Sequence, residues 1–336
     1  MRIAQHSLAR PIWKYLPSFI QHLRVLVPFL LISFVGRAVA QQPLHQADPT
    51  IFLHDHTYYL FGTNDQGSNE GFLVYSSPDL VAWKLEGPAL SKSDAFGEAG
   101  FWAPQVWAHQ GKFYMAYTAN EQIAIAVSDH PAGPYKQSDH RPLASAQRQI
   151  DPFVFVDEDG AVYFYHVRLQ EGNRIFVGKM DDGFSAVDPA TLKECLSVIP
   201  GTWEDAASTE WKVAEGPTVI KRGKHYYLFY SANDFRHPGY AVGYAVSDSP
   251  TGPWRRHADN PIINSKRTGH PGSGHGDVFE GKDGQLYYVF HTHYSDDSVA
   301  PRKTAIVRLS AELSPSGETL FSMDAGSFHF LNYQGP

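Results

Sequence analysis

Cysteine is almost missing. Cys195 is the one thiol in 336 residues, which excludes a disulfide framework and a thiolate zinc site. Basic residues are also short, 28 Lys+Arg against 35 Asp+Glu for a formal charge of −7, whereas a nucleic-acid binder needs a basic face. Charged residues make up 19% of the chain and apolar ones 43%, a balance that excludes a disordered polymer. Long hydrophobic runs are lacking too. The apolar stretch from Val25 to Val35 is too short to span a bilayer as a helix. No convincing amphipathic helical period occurs after it.

The first forty residues have a character of their own. They contain Arg2, Arg10, Lys14, Arg24 and Arg37 but no Asp or Glu, then the apolar stretch, then Ala38-Val39-Ala40 before Gln41. That order of basic, apolar and small residues reads as an export signal over 1–40, cleaved near Ala40. Its removal leaves 28 − 5 = 23 basic against 35 acidic residues, a charge of −12. The expectation is a soluble protein exported to the periplasm or the medium, with no membrane attachment after cleavage.

What remains is rich in aromatics and repeats itself at a period of roughly fifty to sixty residues. Each unit has a small or acidic residue, usually followed by proline, then an apolar strand, a polar turn and an aromatic strand. Asp48-Pro49 leads to Tyr58-Tyr59-Leu60-Phe61, and Ala103-Pro104 leads to Phe113-Tyr114-Met115. Asp151-Pro152, Gly216-Pro217 and His275-Gly276 open the other three units. Turn signals such as Gln110-Gly111, Asp159-Gly160, Arg222-Gly223 and Asp283-Gly284 separate the strands. A second hairpin recurs, as in Ala126-Val127-Ser128-Asp129 and Ala245-Val246-Ser247-Asp248. Four short strands per unit and five units predict an all-β, five-bladed propeller.

The first strand of a propeller blade lines the central channel, so equivalent positions converge on the axis. Aligning the units places Asp48, Ala103, Asp151, Gly216 and His275 at one position, with Glu215 and Trp102 one residue earlier in their units. Asp-Pro is common in turns, which accounts for one such acid but poorly for three at the channel mouth. Two carboxyl groups across a sugar-sized opening are the apparatus of glycoside hydrolysis. One must be protonated to assist the leaving oxygen and the other ionised to activate water. A third carboxylate beside the acid raises its pKa by like-charge repulsion. Trp102 suits a wall on which a sugar ring stacks, whereas Trp107 reads as packing between blades.

On these motifs the chain resembles glycoside hydrolase family 43. The resemblance is carried by Asp48-Pro49, Phe101-Trp102-Ala103-Pro104, Ile150-Asp151-Pro152, Glu215-Gly216-Pro217 and Gly274-His275-Gly276-Asp277. It implies one catalytic propeller over 41–336, after the signal at 1–40. It also implies Asp48 as general base, Glu215 as general acid and Asp151 as the residue that tunes that acid. The family inverts the anomeric centre, so the carboxyl groups of base and acid are expected roughly 6.5–9.5 Å apart. His275 matches a channel histidine that holds a hydrated cation or orients the base, and a buried structural histidine is the other reading. A structural Ca²⁺ or Na⁺ in the channel, reached through water by His275, is the one cofactor expectation, and none is required for the chemistry. Arg302 resembles an arginine that reaches the innermost sugar, or is a solvated strand-end residue. Gln105 stands where an acid is expected. His270, His291 and His293 lack the acid or Cys spacing of a transition-metal site. The retaining fructan hydrolases fit less well, because their Asn-Asp-Pro-Asn and Glu-Cys motifs are missing.

The expected function is an exo-acting α-L-arabinofuranosidase on plant cell-wall polysaccharide. A β-xylosidase, galactofuranosidase or endo-arabinanase of the same family is the alternative. The partner is thus an oligo- or polysaccharide and not a nucleic acid. A non-catalytic sugar-binding propeller would have lost a catalytic acid, and a WD-repeat interaction propeller needs a shorter period with Trp-Asp signatures.

Overall fold

Alternating aromatic and β-branched residues between glycine- and aspartate-bearing turns favour antiparallel hairpins. The computed structural model describes residues 41–335, so the expected signal at 1–40 lies outside the described residues. Five sheets, antiparallel except for one parallel pair at the ring closure, follow one another as the blades of a propeller. Their innermost strands are Gln46–His54, Trp102–His109, Gln149–Val156, Ala214–Arg222 and Gly274–Glu280. The only α-helix among the described residues is the four-residue Ser265–Thr268. No helix among them is long and apolar enough to cross a membrane.

The expected four strands per unit hold for blades 1, 3, 4 and 5 but not for blade 2, which has three. Past Lys136 the chain leaves the sheet, and the Gln137 N–H donates to the Asp94 carbonyl (2.9 Å) instead of to a ladder partner. One bridge, between Val127 and Lys136, is what remains there. The core lies between blades as stacked aromatic layers. Tyr227, Phe229, Tyr244, Tyr288 and Phe321 fill the space between blades 4 and 5, and Phe61, Phe72, Phe101, Tyr117 and Tyr135 that between blades 1 and 2. Trp107 packs edge-on against Phe184 and stacks with Tyr114, as its core reading required.

The ring closes at blade 1. Asn332–Gln334 runs parallel to Trp83–Ser91 and antiparallel to Gln41–Pro43. Leu44 then ties blades 5 and 1 together: its N–H donates to the Leu331 carbonyl (2.9 Å), and its carbonyl accepts from Thr304 N–H (2.9 Å).

Candidate active site

Each innermost strand carries a β-bulge at the same place. Register with the second strand breaks between Ala47 and Thr50, Trp102 and Gln105, Ile150 and Phe153, Glu215 and Thr218, and Gly274 and Gly276. Asp48, Ala103, Asp151, Gly216 and His275 sit in those bulges with φ of 47°, 45°, 54°, 59° and 44°. Four of the five are not glycine. A left-handed backbone there costs of order 1–3 kcal/mol apiece and persists where the surroundings over-determine it. At Gly216 the surroundings also forbid a side chain, because a Cβ would lie 2.7 Å from the His275 ring.

The bulges are held by a relay around the ring. Thr63 accepts the Ala103 N–H (3.0 Å), Thr118 that of Asp151 (3.0 Å), Ser231 that of His275 (2.8 Å) and His291 Nδ1 that of Asp48 (3.1 Å). Each acceptor stands on the second strand of the preceding blade. In blade 3 the equivalent residue is Val167, which has no acceptor, and there Asp151 Oδ2 takes the Gly216 N–H (3.1 Å). Gln105 joins the innermost strands of blades 2 and 3: its amide donates to the Val154 carbonyl (3.0 Å) and accepts the Val154 N–H (2.7 Å). An acid there could not donate, which accounts for the departure from the expected residue.

All six expected site residues, Asp48, Trp102, Asp151, Glu215, His275 and Arg302, line one cavity of about 450 Å³ at the channel mouth. Arg302 is 7% exposed and not solvated. Its Nη1 donates to Asp48 Oδ1 (2.9 Å), and Thr63 donates to Asp48 Oδ2 (2.6 Å). Burial pushes the Asp48 carboxyl up, but the Arg302 charge, helped by the His275 ring, outweighs it and holds it well below the usual carboxylate range. Burial raises Glu215 to about 7 against the donors Tyr240 Oη (2.8 Å, on Oε1) and Asn173 Nδ2 (2.7 Å, on Oε2). Asp151 is raised well above its ordinary value by burial and by the charges of Glu215 and Asp48. One cavity therefore holds a carboxylate kept ionised and a carboxyl kept protonated.

Around the channel position of the expected cation the side chains are engaged with one another. Below the mouth the channel void is about 30 Å³, room for one or two waters. Asp277 in its wall already accepts from Thr50 (2.6 Å) and Thr218 (2.5 Å). The ring nitrogens of His275 face carboxylates, Nδ1 3.3 Å from Asp48 Oδ1 and Nε2 4.0 Å from Asp151 Oδ2. Among the described residues no three His, Cys, Asp or Glu side chains are grouped to ligate a metal.

The sequence profile of "Glycosyl hydrolases family 43" matches residues 41–312. The chain belongs to that family. A β-D-galactofuranosidase of Aspergillus niger is 26% identical, over 82% of this chain and 83% of its own. An extracellular exo-α-(1→5)-L-arabinofuranosidase of Cellvibrio japonicus is 24% identical, over 87% and 89%. A solved structure from Bacteroides thetaiotaomicron, described as an endo-1,4-β-xylanase, is 39% identical with a TM-score of 0.82, over 89% of this chain and all of that one.

Several side chains of this family 43 hydrolase's cavity escaped the sequence reading. Asp65 fixes Arg302 through Nη2 (2.7 Å) and Nε (3.1 Å), while Phe235 lies under the guanidinium at 4.8 Å. His293 faces the Phe235 carbonyl at 2.8 Å, and His270 packs on Phe328 and Phe330, so neither reaches the mouth. His291, set aside as a metal ligand, instead contacts Asp48: its Nδ1 accepts the Asp48 N–H and lies 3.3 Å from Oδ1. Burial lowers it to about 4, so the ring is neutral in the neutral range. Asn173, Trp211 and Tyr240 are further omissions, as are Asp234 and Arg236 in the cavity wall. They stand on third strands and loops, where no repeated motif points to them.

Proposed function

We propose that the cavity hydrolyses glycosidic bonds of plant cell-wall polysaccharide with inversion, most readily non-reducing-end α-L-arabinofuranosides. The observation that supports this is the opposed protonation of two buried carboxyl groups facing one cavity. Glu215 donates its proton to the leaving oxygen as the glycosidic bond breaks. Asp48, ionised at that moment, takes a proton from the water that attacks the anomeric carbon from the opposite face. Arg302 and Thr63 hold Asp48 in position, and Asp151 orients the Glu215 segment by accepting the Gly216 N–H. Trp102 supplies a face for a sugar ring. No step needs a metal or other cofactor.

The arabinose preference draws on the relative from Cellvibrio japonicus. A xylose-linked substrate is the second reading, favoured by the 39% identity to the protein described as a xylanase. The basic, apolar and small-residue order of 1–40 supports export before action on a polymer.

The test is release of nitrophenol from α-L-arabinofuranoside, β-D-xyloside and β-D-galactofuranoside, with Glu215→Gln as control. Turnover of the arabinofuranoside above the others, lost in Glu215→Gln, is expected. Preference for the xyloside would replace the sugar assignment, and equal turnover by Glu215→Gln would remove Glu215 from the acid role.

A further inference from the structure

The side of the cavity beyond Glu215 has no part in the reading so far. Trp102, Ile150, Asn173 and Trp211 line both the 450 Å³ cavity and a second one of about 380 Å³, whose other walls include Glu121, Arg148 and Leu169. Glu215 faces the leaving oxygen, so this second cavity lies on the leaving-group side. Arg148 and Glu121 pair at 2.6 Å, which cancels net charge and leaves hydrogen-bonding groups suited to neutral sugar hydroxyls.

Trp211, 45% exposed, joins this outer cavity to the acid. Its indole N–H donates to Asn173 Oδ1 (2.8 Å), and Asn173 Nδ2 donates to Glu215 Oε2 (2.7 Å). An indole nitrogen can only donate, so the amide oxygen must face Trp211 and the amide nitrogen must face Glu215. Oε2 is thereby restricted to accepting, so the proton of the acid falls on Oε1, whose remaining lone pair faces Tyr240 Oη at 2.8 Å. The backbone places Asn173 beside the Trp211 loop. Asn173 N–H donates to the Lys212 carbonyl (2.8 Å), and a Cβ on Gly172 would lie 2.6 Å from that oxygen.

We propose that Trp211 is a positioning residue: the leaving-group sugar stacks on its ring while its N–H, through Asn173, holds the acid's proton on Oε1. The inference rests on the glycosidase reading above. Filling the outer cavity with a sugar holds Trp211 in place and so keeps the Asn173 amide turned the productive way. A substrate whose leaving group is a sugar chain engages the device, and a small aryl leaving group does so less.

The test compares wild type, Trp211→Phe, Asn173→Ala and the double variant on a nitrophenyl glycoside and on a linear oligosaccharide of the same sugar. Trp211→Phe keeps the stacking face and loses the donor, so Asn173 no longer reliably offers its N–H to the carboxylate and the ionised acid loses support. The alkaline limb of kcat/KM is expected to move to higher pH, with kcat lowered about tenfold, the equivalent of one buried hydrogen bond, and the oligosaccharide KM nearly unchanged. Asn173→Ala should produce the same shift, and the double variant no more than either single one. A Trp211→Phe profile that overlays an active wild type, or singles that add fully, would overturn the inference and leave the glycosidase reading standing. A wild type that turns over neither substrate would overturn both.

Discussion

Asp48 accepts from a guanidinium and a threonine, whereas Glu215 accepts from a tyrosine and an amide, and that difference in donors separates two equally buried carboxyl groups. The consequence is readable in pH. With Glu215 as the proposed acid, kcat/KM is expected to fall as pH rises through about 7, the value to which burial raises it. Asp48 must be ionised, and Arg302 keeps it so to well below the ordinary carboxylate range. Arg302→Met removes that charge from a buried site, so an acid limb should rise into the range where wild type is still active. An acid limb that stays put in Arg302→Met would mean that Thr63 and His275 hold Asp48 ionised without it. The three acids were legible in the sequence because each opens a repeated unit. Asp65, Tyr240 and Asn173 were not, because they act on the acids through space from positions the repeat does not mark.

The innermost strand is the element that turns a repeat into a site. Its bulge puts one residue, followed by proline in four of the five blades, into left-handed backbone and aims it at the channel, in glycine, alanine, histidine and aspartate alike. Residue type does not encode that conformation, so the sequence showed which residues are equivalent but not how they are held. The relay of side-chain acceptors holds them, and it makes separate predictions. Thr118→Val leaves the buried Asp151 N–H without an acceptor and should cost about 1–3 kcal/mol in urea unfolding. A change within error would show that the bulge is held by the strand ladder alone. Gln105→Glu replaces a donor to the Val154 carbonyl with an acceptor and should also lower Tm. The missing fourth strand of blade 2 was not legible. Gly133-Pro134-Tyr135 repeats Gly252-Pro253-Trp254 of blade 4, which keeps its fourth strand, and the difference comes from the Gln137 contact to Asp94 outside the repeat.

Ring closure is the property of the whole molecule on which the site depends, because blades 1 and 5 supply Asp48 and Arg302 to one ion pair. Leu331, 1% exposed, sits at that seam, where its carbonyl accepts from Leu44 and its N–H donates to Thr304. Leu331→Ala should cost about 2–5 kcal/mol by lost burial and cavity formation, measured by denaturant unfolding. A cost near zero would place the closure in the flanking strands instead. Five blades were legible from the period of the repeat, whereas the pairing of Gln41–Pro43 with Asn332–Gln334 joins segments outside any repeat. The account as a whole turns on Asp48 acting on water and not on the sugar carbon. The most direct measurement is the anomeric configuration of the first sugar released by wild type, followed by proton NMR before mutarotation. The account predicts the inverted anomer. Release of the retained anomer would contradict it, since it would make a carboxylate of this cavity a nucleophile.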